Sequence, residues 1–526
     1  MRWMRPTPFH GRVSAYHPTD PEVLPVRRSR MASLLAAGVV ATLVPALIPV
    51  LAPSMASAAG DPLGPYLQQE PSWHRCAKRL PATYQCARIK VPLDYSRPDG
   101  RTLDLAISRM KTSTKNERRG VLLLNPGGPG GEGVTMPMDE ANILPKSVTR
   151  KYDLVGFDPR GIGESSPVSC GLTSKEQNRE RPYKPETFTK DVTWARTVAE
   201  KCYAKQGDKL RHITTRNTAR DMDVIRAVLG EKKISYLGVS YGTYLGAVYT
   251  QMFPEHTDRF VLDSAADPAR IWRGVFQDWA QGAEPAFARW TEWTARRNPT
   301  YRLGSTPEAV RKTFYDLVAR ADREPIRYEG TSLAGADIRS ESRVKFFYLS
   351  DAAKWIAKVK KAAGGRSPSS GQDLKAPPQA QSSFGRAVPS DNEGAAFWSI
   401  ACADTRDWPR DPEQYRSDAI RDKAAYPVYG DFVSNIKPCA FWKKQGSEPA
   451  TRVDNKVRAL ILQYEWDFQT PLTSGRGLRR AMKGAKMVTV AGGVGHGVYG
   501  LGTCADKTAT AYLTTGRLPM KNMTCY

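Results

Sequence analysis

Several motifs that mark large protein classes are missing from this sequence. None of the eight cysteines has the Cys-x-x-Cys spacing of a zinc site. The glycine-rich stretch at 125–131 lacks the Gly-Lys-Ser/Thr ending of a phosphate-binding loop. No segment of the chain repeats at a fixed period. We therefore predict neither a bound metal nor a cofactor.

Acidic residues are fewer than basic residues in this sequence, yet the basic residues do not form a nucleic-acid-binding segment. The chain has 78 lysines and arginines against 53 acidic residues, a net charge of +25. The basic residues are scattered, and an export signal precedes the rest of the chain, so we do not predict nucleic acid as a partner. Hydrophobic residues make up 40% of the 526 residues, enough for a large core with an insertion or for two domains.

The N-terminal segment has the pattern of a signal peptide. Basic residues precede an apolar run at 31–52, and Ala56-Ser57-Ala58 supplies a small-x-small cleavage site. The run is long enough for a membrane anchor, but Pro45 and Pro49 interrupt it and Pro53 ends it. We therefore predict a signal peptide at 1–58, a secreted protein, and no stable membrane span after cleavage. The paired arginines at 27–28 leave both the general and the twin-arginine export routes open.

All eight cysteines follow the predicted signal. An even number of cysteines in an exported chain predicts disulfides. Eight cysteines allow 105 connectivities, of which pairing between sequence neighbours is the simplest. That pairing joins Cys76 with Cys86, Cys170 with Cys202, Cys402 with Cys439, and Cys504 with Cys525.

Buried strands alternate with helical segments, which predicts an α/β fold with a mostly parallel sheet. Six apolar runs have the length and composition of strands buried on both faces, at 120–125, 152–158, 234–239, 260–263, 459–463 and 486–490. Helical patterns replace the alternation between the fourth and fifth runs, and a stretch rich in Ser, Pro, Gly and Gln at 364–394 predicts a flexible loop. We predict core segments at 59–267 and 451–526, separated by a helical cap at 268–450.

A G-x-S-x-G motif lies between a predicted strand and a predicted helix. Gly238-Val239-Ser240-Tyr241-Gly242 fits the strained turn that lifts a nucleophilic serine off the end of a sheet. Small residues are needed on both sides because the backbone packs tightly there. The motif in this context predicts that Ser240 is a catalytic nucleophile, as in α/β hydrolases.

The glycine-rich stretch after the first of these strands fits an oxyanion loop. Four glycines in 125–131 allow the backbone to approach a developing negative charge. We predict the N–H groups of Gly128 and Tyr241 as the oxyanion donors. The segment 158–165 does not have dinucleotide-loop spacing, so we expect it to shape the rim beside this loop.

The base and the acid of a triad follow the nucleophile in α/β hydrolases, in the order acid and then histidine. His496 lies after the last strand, in a glycine-rich loop, whereas His256 lies at a helix end, where a capping role is expected. Asp467 lies in the loop after the preceding strand and is the predicted acid. Glu465 is the alternative, on the strand itself.

These motifs together resemble the secreted tripeptidyl aminopeptidases of actinobacteria, within the prolyl aminopeptidase branch of the α/β hydrolases. The resemblance spans residues 71–526 and rests on the segments 125–130, 156–161, 238–242, 467–471 and 495–497. Pro126 stands where the prolyl aminopeptidases usually have histidine. The resemblance implies cleavage near the free N-terminus of a peptide or protein, a cap domain, and a C-terminal segment that carries the catalytic histidine.

Two other functions remain open from the sequence. One is a carboxylesterase or lipase with the same triad, and the other is a binding module without catalysis, which would not need all three residues. A peptidase that recognises a free amine needs a carboxylate for the substrate ammonium. We predict Asp404, in the cap beside Cys402, for this role; the alternative is a surface carboxylate paired with Arg406 or Arg410.

Overall fold

A computed structural model describes residues 61–78, 80–365, 387–443 and 445–526. The predicted signal peptide at 1–58 lies outside the described residues. So does most of the loop predicted at 364–394, and at its far end a helix already begins at Asn392.

Ten strands form one sheet, and a separate two-stranded hairpin lies in the long segment between its seventh and eighth strands in the chain. The sheet order is β1-β2-β3-β5-β4-β6-β7-β10-β11-β12, and β8 pairs with β9. The strands are β1 His74–Arg75, β2 Tyr84–Pro92, β3 Thr102–Met110, β4 Gly120–Asn125, β5 Tyr152–Phe157, β6 Ile234–Val239, β7 Thr257–Asp263, β8 Ile326–Tyr328, β9 Thr331–Leu333, β10 Ala459–Trp466, β11 Lys486–Val494 and β12 Met523–Cys525.

All neighbours from β5 to β12 in the sheet order are parallel, while β1, β2 and β3 are attached antiparallel. Every residue of β4 and β5 is buried, as expected for strands covered on both faces. Parallel strands bring their carboxyl ends to one edge of the sheet. The segments that follow β4, β6, β7, β10 and β11 therefore meet at that edge, where open α/β sheets bind ligands. This confirms the predicted α/β-hydrolase architecture.

Helices cover the sheet, and none in the described part of the chain is long and apolar enough to cross a bilayer. The α-helices are α1 Gly64–Leu67, α2 Met136–Ile143, α3 Lys146–Thr149, α4 Ser174–Gln177, α5 Phe188–Gln206, α6 Thr215–Val228, α7 Tyr241–Met252, α8 Arg273–Ala295, α9 Asn298–Tyr301, α10 Pro307–Arg323, α11 Gly335–Lys345, α12 Leu349–Ala363, α13 Asn392–Ala403, α14 Pro412–Ala425, α15 Gly430–Ser434, α16 Leu472–Ala481 and α17 Asp506–Thr515.

The segment between β7 and β10 is mainly helical and contains α8 to α15. We propose that residues 268–450 of this segment form the cap. Its aromatic side chains pack on one another: the ring of Phe346 lies 4.7 Å from that of Phe287 and 4.8 Å from that of Trp290, between ring centroids. All three are buried and belong to the hydrophobic cluster that also includes side chains of the central sheet, so they tie the insertion to the rest of the fold.

Four disulfides join cysteines that are neighbours in the sequence, and no described cysteine is free. The bonds are Cys76–Cys86, Cys170–Cys202, Cys402–Cys439 and Cys504–Cys525. The last one ties the loop after β11 to β12, at the edge of the sheet. Each closes a local loop and is expected to contribute on the order of 2–4 kcal/mol to stability.

Candidate active site

Ser240 occupies a strained turn between β6 and α7. Its φ of 60° and ψ of −123° place a non-glycine residue in a sparsely populated backbone region. A Cβ on Gly238 would lie 2.6 Å from the carbonyl oxygen of Gly242, and a Cβ on Gly242 would lie 3.0 Å from that of Asn125. The two glycines of the motif are therefore sterically required. The geometry is that of a nucleophile elbow.

The glycine-rich loop after β4 passes directly against this elbow. A Cβ on Gly127 would lie 2.9 Å from the Cβ of Ser240 and 3.2 Å from the backbone nitrogen of Tyr241. Gly127 and Gly128 both have positive φ, at 92° and 115°. Among the described residues, no group accepts a hydrogen bond from the N–H of Gly128 or Tyr241. One such donor directly follows the serine and the other lies in the loop that packs against it, which is the arrangement that an oxyanion hole requires.

Asp158 supports the far end of the same loop. Its carboxylate accepts hydrogen bonds from the backbone N–H groups of Gly133, Val134 and Glu164, at 2.8–3.1 Å. Burial raises the pKa of Asp158 to about 7. Arg160, from the same segment, is fully buried and pairs with Asp221 at 2.6 Å. These contacts give the segment the structural role expected from its sequence, at the rim of the loop.

The predicted acid and base are in contact. The Nδ1 atom of His496 lies 2.9 Å and 3.0 Å from the two carboxylate oxygens of Asp467. Their side chains are 1% and 0% exposed. Asp467 also accepts hydrogen bonds from the N–H groups of Gln469 and Thr470, both at 2.9 Å. This arrangement fixes the carboxylate and directs Nδ1 of the imidazole at it, so that Nε2, on the other side of the ring, is the nitrogen that a triad would use for proton transfer.

Glu465, the alternative acid, is exposed and does not contact His496. Its carboxylate accepts a hydrogen bond from the N–H of Gly492 at 2.7 Å. Glu465 therefore braces β10 against β11, and the geometry favours Asp467 as the acid. His256, the other histidine after Ser240, is the last residue of the short 3-10 helix Pro254–His256. Its Nδ1 atom lies 2.6 Å from the carboxylate of Asp223, in α6.

Asp263 and Ser264 join the elbow to the histidine loop, a role not foreseen from the sequence. The carbonyl oxygen of Asp263 accepts from the N–H of Ser240 at 2.9 Å. The Asp263 carboxylate accepts from the N–H groups of Val498 and Tyr499 at 2.8–2.9 Å, while the Ser264 hydroxyl accepts from the N–H of Gly497 at 2.8 Å. Three successive backbone donors after His496 are thus held by Asp263, the last residue of β7, and by Ser264, which follows it. The signal was an aspartate at the carboxyl end of a parallel strand.

Comparisons with known proteins place the chain in a family. A family model described as alpha/beta hydrolase fold matches residues 120–338, and one described as TAP-like protein matches residues 426–525. The tripeptidyl aminopeptidase of Streptomyces lividans is 35% identical over 471 residues, which cover 86% of each chain. The chain belongs to the tripeptidyl aminopeptidase family of α/β hydrolases.

Two mycobacterial proteins that are also similar to this chain are named for other activities. The serine protease Hip1 of Mycobacterium tuberculosis (strain ATCC 25618 / H37Rv) is 29% identical, with 88% of this chain and 92% of the relative covered. The protein named carboxylesterase B from the same strain is 30% identical, with 89% of this chain and 92% of the relative covered.

Asp404 is buried next to the elbow rather than paired with arginine on the surface. Its carboxylate accepts hydrogen bonds from the Thr215 N–H at 2.7 Å, the Thr215 hydroxyl at 2.6 Å and the Trp272 indole N–H at 3.0 Å. The Trp272 ring stacks on that of Tyr241 at 5.5 Å. The surface pairing with Arg406 or Arg410 is therefore wrong, because the carboxylate is buried and has other partners. Its role towards a substrate ammonium stays a prediction.

We expect Asp263→Asn to lower kcat by roughly 10- to 100-fold and to change KM little. An amide offers one acceptor oxygen where the carboxylate offers two to Val498 and Tyr499, so the His496 loop should shift, and small misplacements of catalytic groups have effects of this size. The measurement is a pH series of kcat and KM. A change in KM as large as the change in kcat, or an unchanged kcat, would contradict the assignment of Asp263 as a positioning residue.

The same variant should also change how stability depends on pH. Burial raises the pKa of Asp263 to about 6, above the value of about 4 for an unfolded aspartate. The native state therefore binds this proton more tightly than the unfolded state, and the contribution of Asp263 to stability is lost as pH rises from about 4 through about 6. Asn cannot ionise, so the free energy of unfolding of the variant should fall less over that range. Chemical denaturation at pH 4 and pH 7 measures the difference.

Proposed function

We propose that this protein is a secreted serine peptidase that releases short peptides from free N-termini, and that these are tripeptides, as the name of its relatives indicates. The observation that carries the proposal is the contact of His496 with the buried Asp467, at the same sheet edge as the Ser240 elbow. Membership of the tripeptidyl aminopeptidase family supports the peptide substrate.

In the proposed reaction, Ser240 Oγ attacks the carbonyl carbon of the scissile peptide bond, and its proton passes to Nε2 of His496. The carbonyl oxygen takes the negative charge and accepts hydrogen bonds from the N–H groups of Gly128 and Tyr241. His496 then gives its proton to the leaving amine as the carbon–nitrogen bond breaks, which leaves a peptidyl ester on Ser240. Water repeats the attack with His496 as base and releases the peptide acid and free Ser240.

We also propose export for this chain. All eight cysteines are paired in disulfides, and disulfides of this number persist outside the reducing cytosol. The basic, apolar and small-residue pattern of residues 1–58 supports the same conclusion from the sequence.

An esterase activity is the second candidate, favoured by the relative named carboxylesterase B. Three chromogenic substrates distinguish the peptidase from the esterase activity. They are a tripeptide anilide with a free amine, the N-acetylated form of this anilide, and an ester of a simple acid. We expect acetylation to lower kcat/KM roughly 10- to 100-fold, because a hydrogen bond to a charged group is lost. Equal rates on the free and acetylated peptides, with faster hydrolysis of the ester, would overturn the peptidase assignment.

Asp404→Asn in the same assay tests the predicted amine contact. If the carboxylate binds the substrate ammonium, KM should rise for the free-amine peptide and remain unchanged for the simple ester. If the carboxylate only supports Tyr241 through Thr215 and Trp272, both substrates should lose activity alike. The second result would remove Asp404 from the substrate site.

A further inference from the structure

Two aromatic side chains with exposed surface lie beside the catalytic histidine. The ring of Phe468, the residue after Asp467, lies 5.9 Å from the imidazole ring of His496, between centroids. The ring of Tyr348, which precedes α12, lies 6.2 Å from that of Phe468. Both side chains are only half-buried. They therefore form a partly exposed wall next to the group that donates protons.

The hydroxyl group of Tyr348 reaches the histidine loop without a partner. A Cβ built on Gly495, the residue before His496, would lie 3.8 Å from the Tyr348 hydroxyl oxygen. Burial, together with the negative charge of Asp467, raises the pKa of Tyr348, so the phenol is neutral and keeps its proton to donate. Among the described residues, no group forms a hydrogen bond with this hydroxyl. A half-buried phenol without a partner is available to a bound molecule.

The cap fixes this wall to the acid loop. Arg343, near the end of α11, donates hydrogen bonds to the carbonyl oxygen of Phe468 at 2.9 Å and to the side-chain oxygen of Gln469 at 3.1 Å. Phe347 packs against Phe468 with 5.9 Å between ring centroids. Because both the backbone and the ring of Phe468 are held, the wall is a fixed surface rather than a mobile loop tip.

The position of the wall indicates which part of a substrate meets it. In acyl transfer the acyl carbonyl lies towards the oxyanion donors, whereas the leaving amine lies against the histidine that protonates it. Gly127 places the oxyanion loop against Ser240, and Phe468 lies against His496. The wall is therefore on the leaving-group side of the reaction centre.

We propose that Phe468 and Tyr348 form the subsite for the residue that follows the scissile bond. An apolar side chain of that residue packs on the Phe468 ring, and its backbone carbonyl accepts a hydrogen bond from the Tyr348 hydroxyl. This inference rests on the proposed peptidase function, and it adds the specificity of the leaving segment. Tyr348 acts on binding of the leaving segment and takes no part in proton transfer.

The test compares leaving groups on one tripeptidyl acyl group. Two tetrapeptide amides have Leu or Gly as the fourth residue, so the first presents an apolar side chain and a neutral carbonyl and the second presents the carbonyl alone. The tripeptide methyl ester lacks the whole leaving residue. For the wild type we expect the Leu tetrapeptide to exceed the Gly tetrapeptide by roughly tenfold in kcat/KM, as burial of a leucine side chain allows. Phe468→Leu should reduce that ratio severalfold.

Tyr348→Phe removes only the hydroxyl and tests the hydrogen bond. We expect kcat/KM for both tetrapeptides to fall about 3- to 10-fold, the range for one neutral hydrogen bond, while the methyl ester stays within twofold. Tyr301→Phe is the matched control, since Tyr301 lies in the cap with its ring against Trp293. It should leave all three substrates unchanged.

Two outcomes would overturn the subsite. An equal loss on the tetrapeptides and the methyl ester would show that both residues act through the triad, and an unchanged ratio of Leu to Gly in Phe468→Leu would show that the ring does not contact the leaving residue. A wild type that cleaves none of the tripeptidyl substrates would instead overturn the proposed function. Simple acyl esters with methyl or benzyl alcohol groups would then still report on the leaving-group side.

Discussion

Replacing Ser240 by alanine is expected to lower kcat by on the order of a million-fold, the loss seen when the nucleophile of a serine triad is removed. The reason is chemical, since alanine has no hydroxyl group to attack the carbonyl carbon. The fold should tolerate the change, because the serine hydroxyl is not among the contacts that hold the elbow. Those contacts are backbone hydrogen bonds, from the Ser240 N–H to Asp263 and from the Thr243 N–H to the Ser240 carbonyl.

The measurement is kcat on a free-amine tripeptide anilide, together with the thermal midpoint of unfolding. Alanine at a position with a φ of 60° is as strained as serine, so the midpoint should change by no more than a few degrees. Ser113→Ala, at an exposed loop position, is the matched control and should retain full activity. Wild-type turnover in the Ser240 variant would rule out this serine as the nucleophile.

The positions proposed for catalysis could be located from the sequence because they lie in local motifs at the ends of buried strands. A continuous apolar run followed by glycines identified the ends of β4 and β6, and the fixed order of nucleophile, acid and histidine selected the other two positions. The choice between Asp467 and Glu465 depended on which one lies in the loop. The structure supports that choice physically, since Asp467 is buried with several donors and Glu465 is exposed.

Contacts between distant segments could not be predicted in the same way. The carboxylate of Asp263 meets Val498 and Tyr499 across 235 and 236 residues of sequence, and no local pattern announces such a pairing. Asp404 shows the same difficulty, because its position beside Cys402 was visible but its partners Thr215 and Trp272 were not. These segments meet because of the order of the strands in the sheet. The hydrophobic periodicity of one sequence predicts the strands but not their order.

The second large effect is expected for Asp467→Asn, which should lower kcat by about 10⁴-fold while the fold is retained, as found for the acid of serine proteases. One carboxylate oxygen, Oδ1, accepts from the N–H groups of Gln469 and Thr470. An asparagine must keep its oxygen at that site, because an amide nitrogen cannot accept these two donors. Its nitrogen then takes the place of Oδ2, which lies 3.0 Å from Nδ1 of His496.

That placement favours the wrong tautomer. The amide oxygen at the Oδ1 position also lies 2.9 Å from Nδ1, but it already accepts from two backbone N–H groups, whereas the new amide N–H can only donate towards Nδ1. An amide N–H directed at Nδ1 requires this nitrogen to accept, so the imidazole proton moves to Nε2 and the base can no longer take the proton of Ser240. Nitrogen NMR of the imidazole should therefore show protonated Nδ1 in the wild type and protonated Nε2 in the variant. Glu465→Gln is the matched control, since its exposed carboxylate accepts a hydrogen bond from the N–H of Gly492 rather than from the triad residues, and it should keep kcat within about threefold. If Glu465→Gln instead lost activity and Asp467→Asn did not, the acid would be Glu465, and the contact between Asp467 and His496 would serve packing alone.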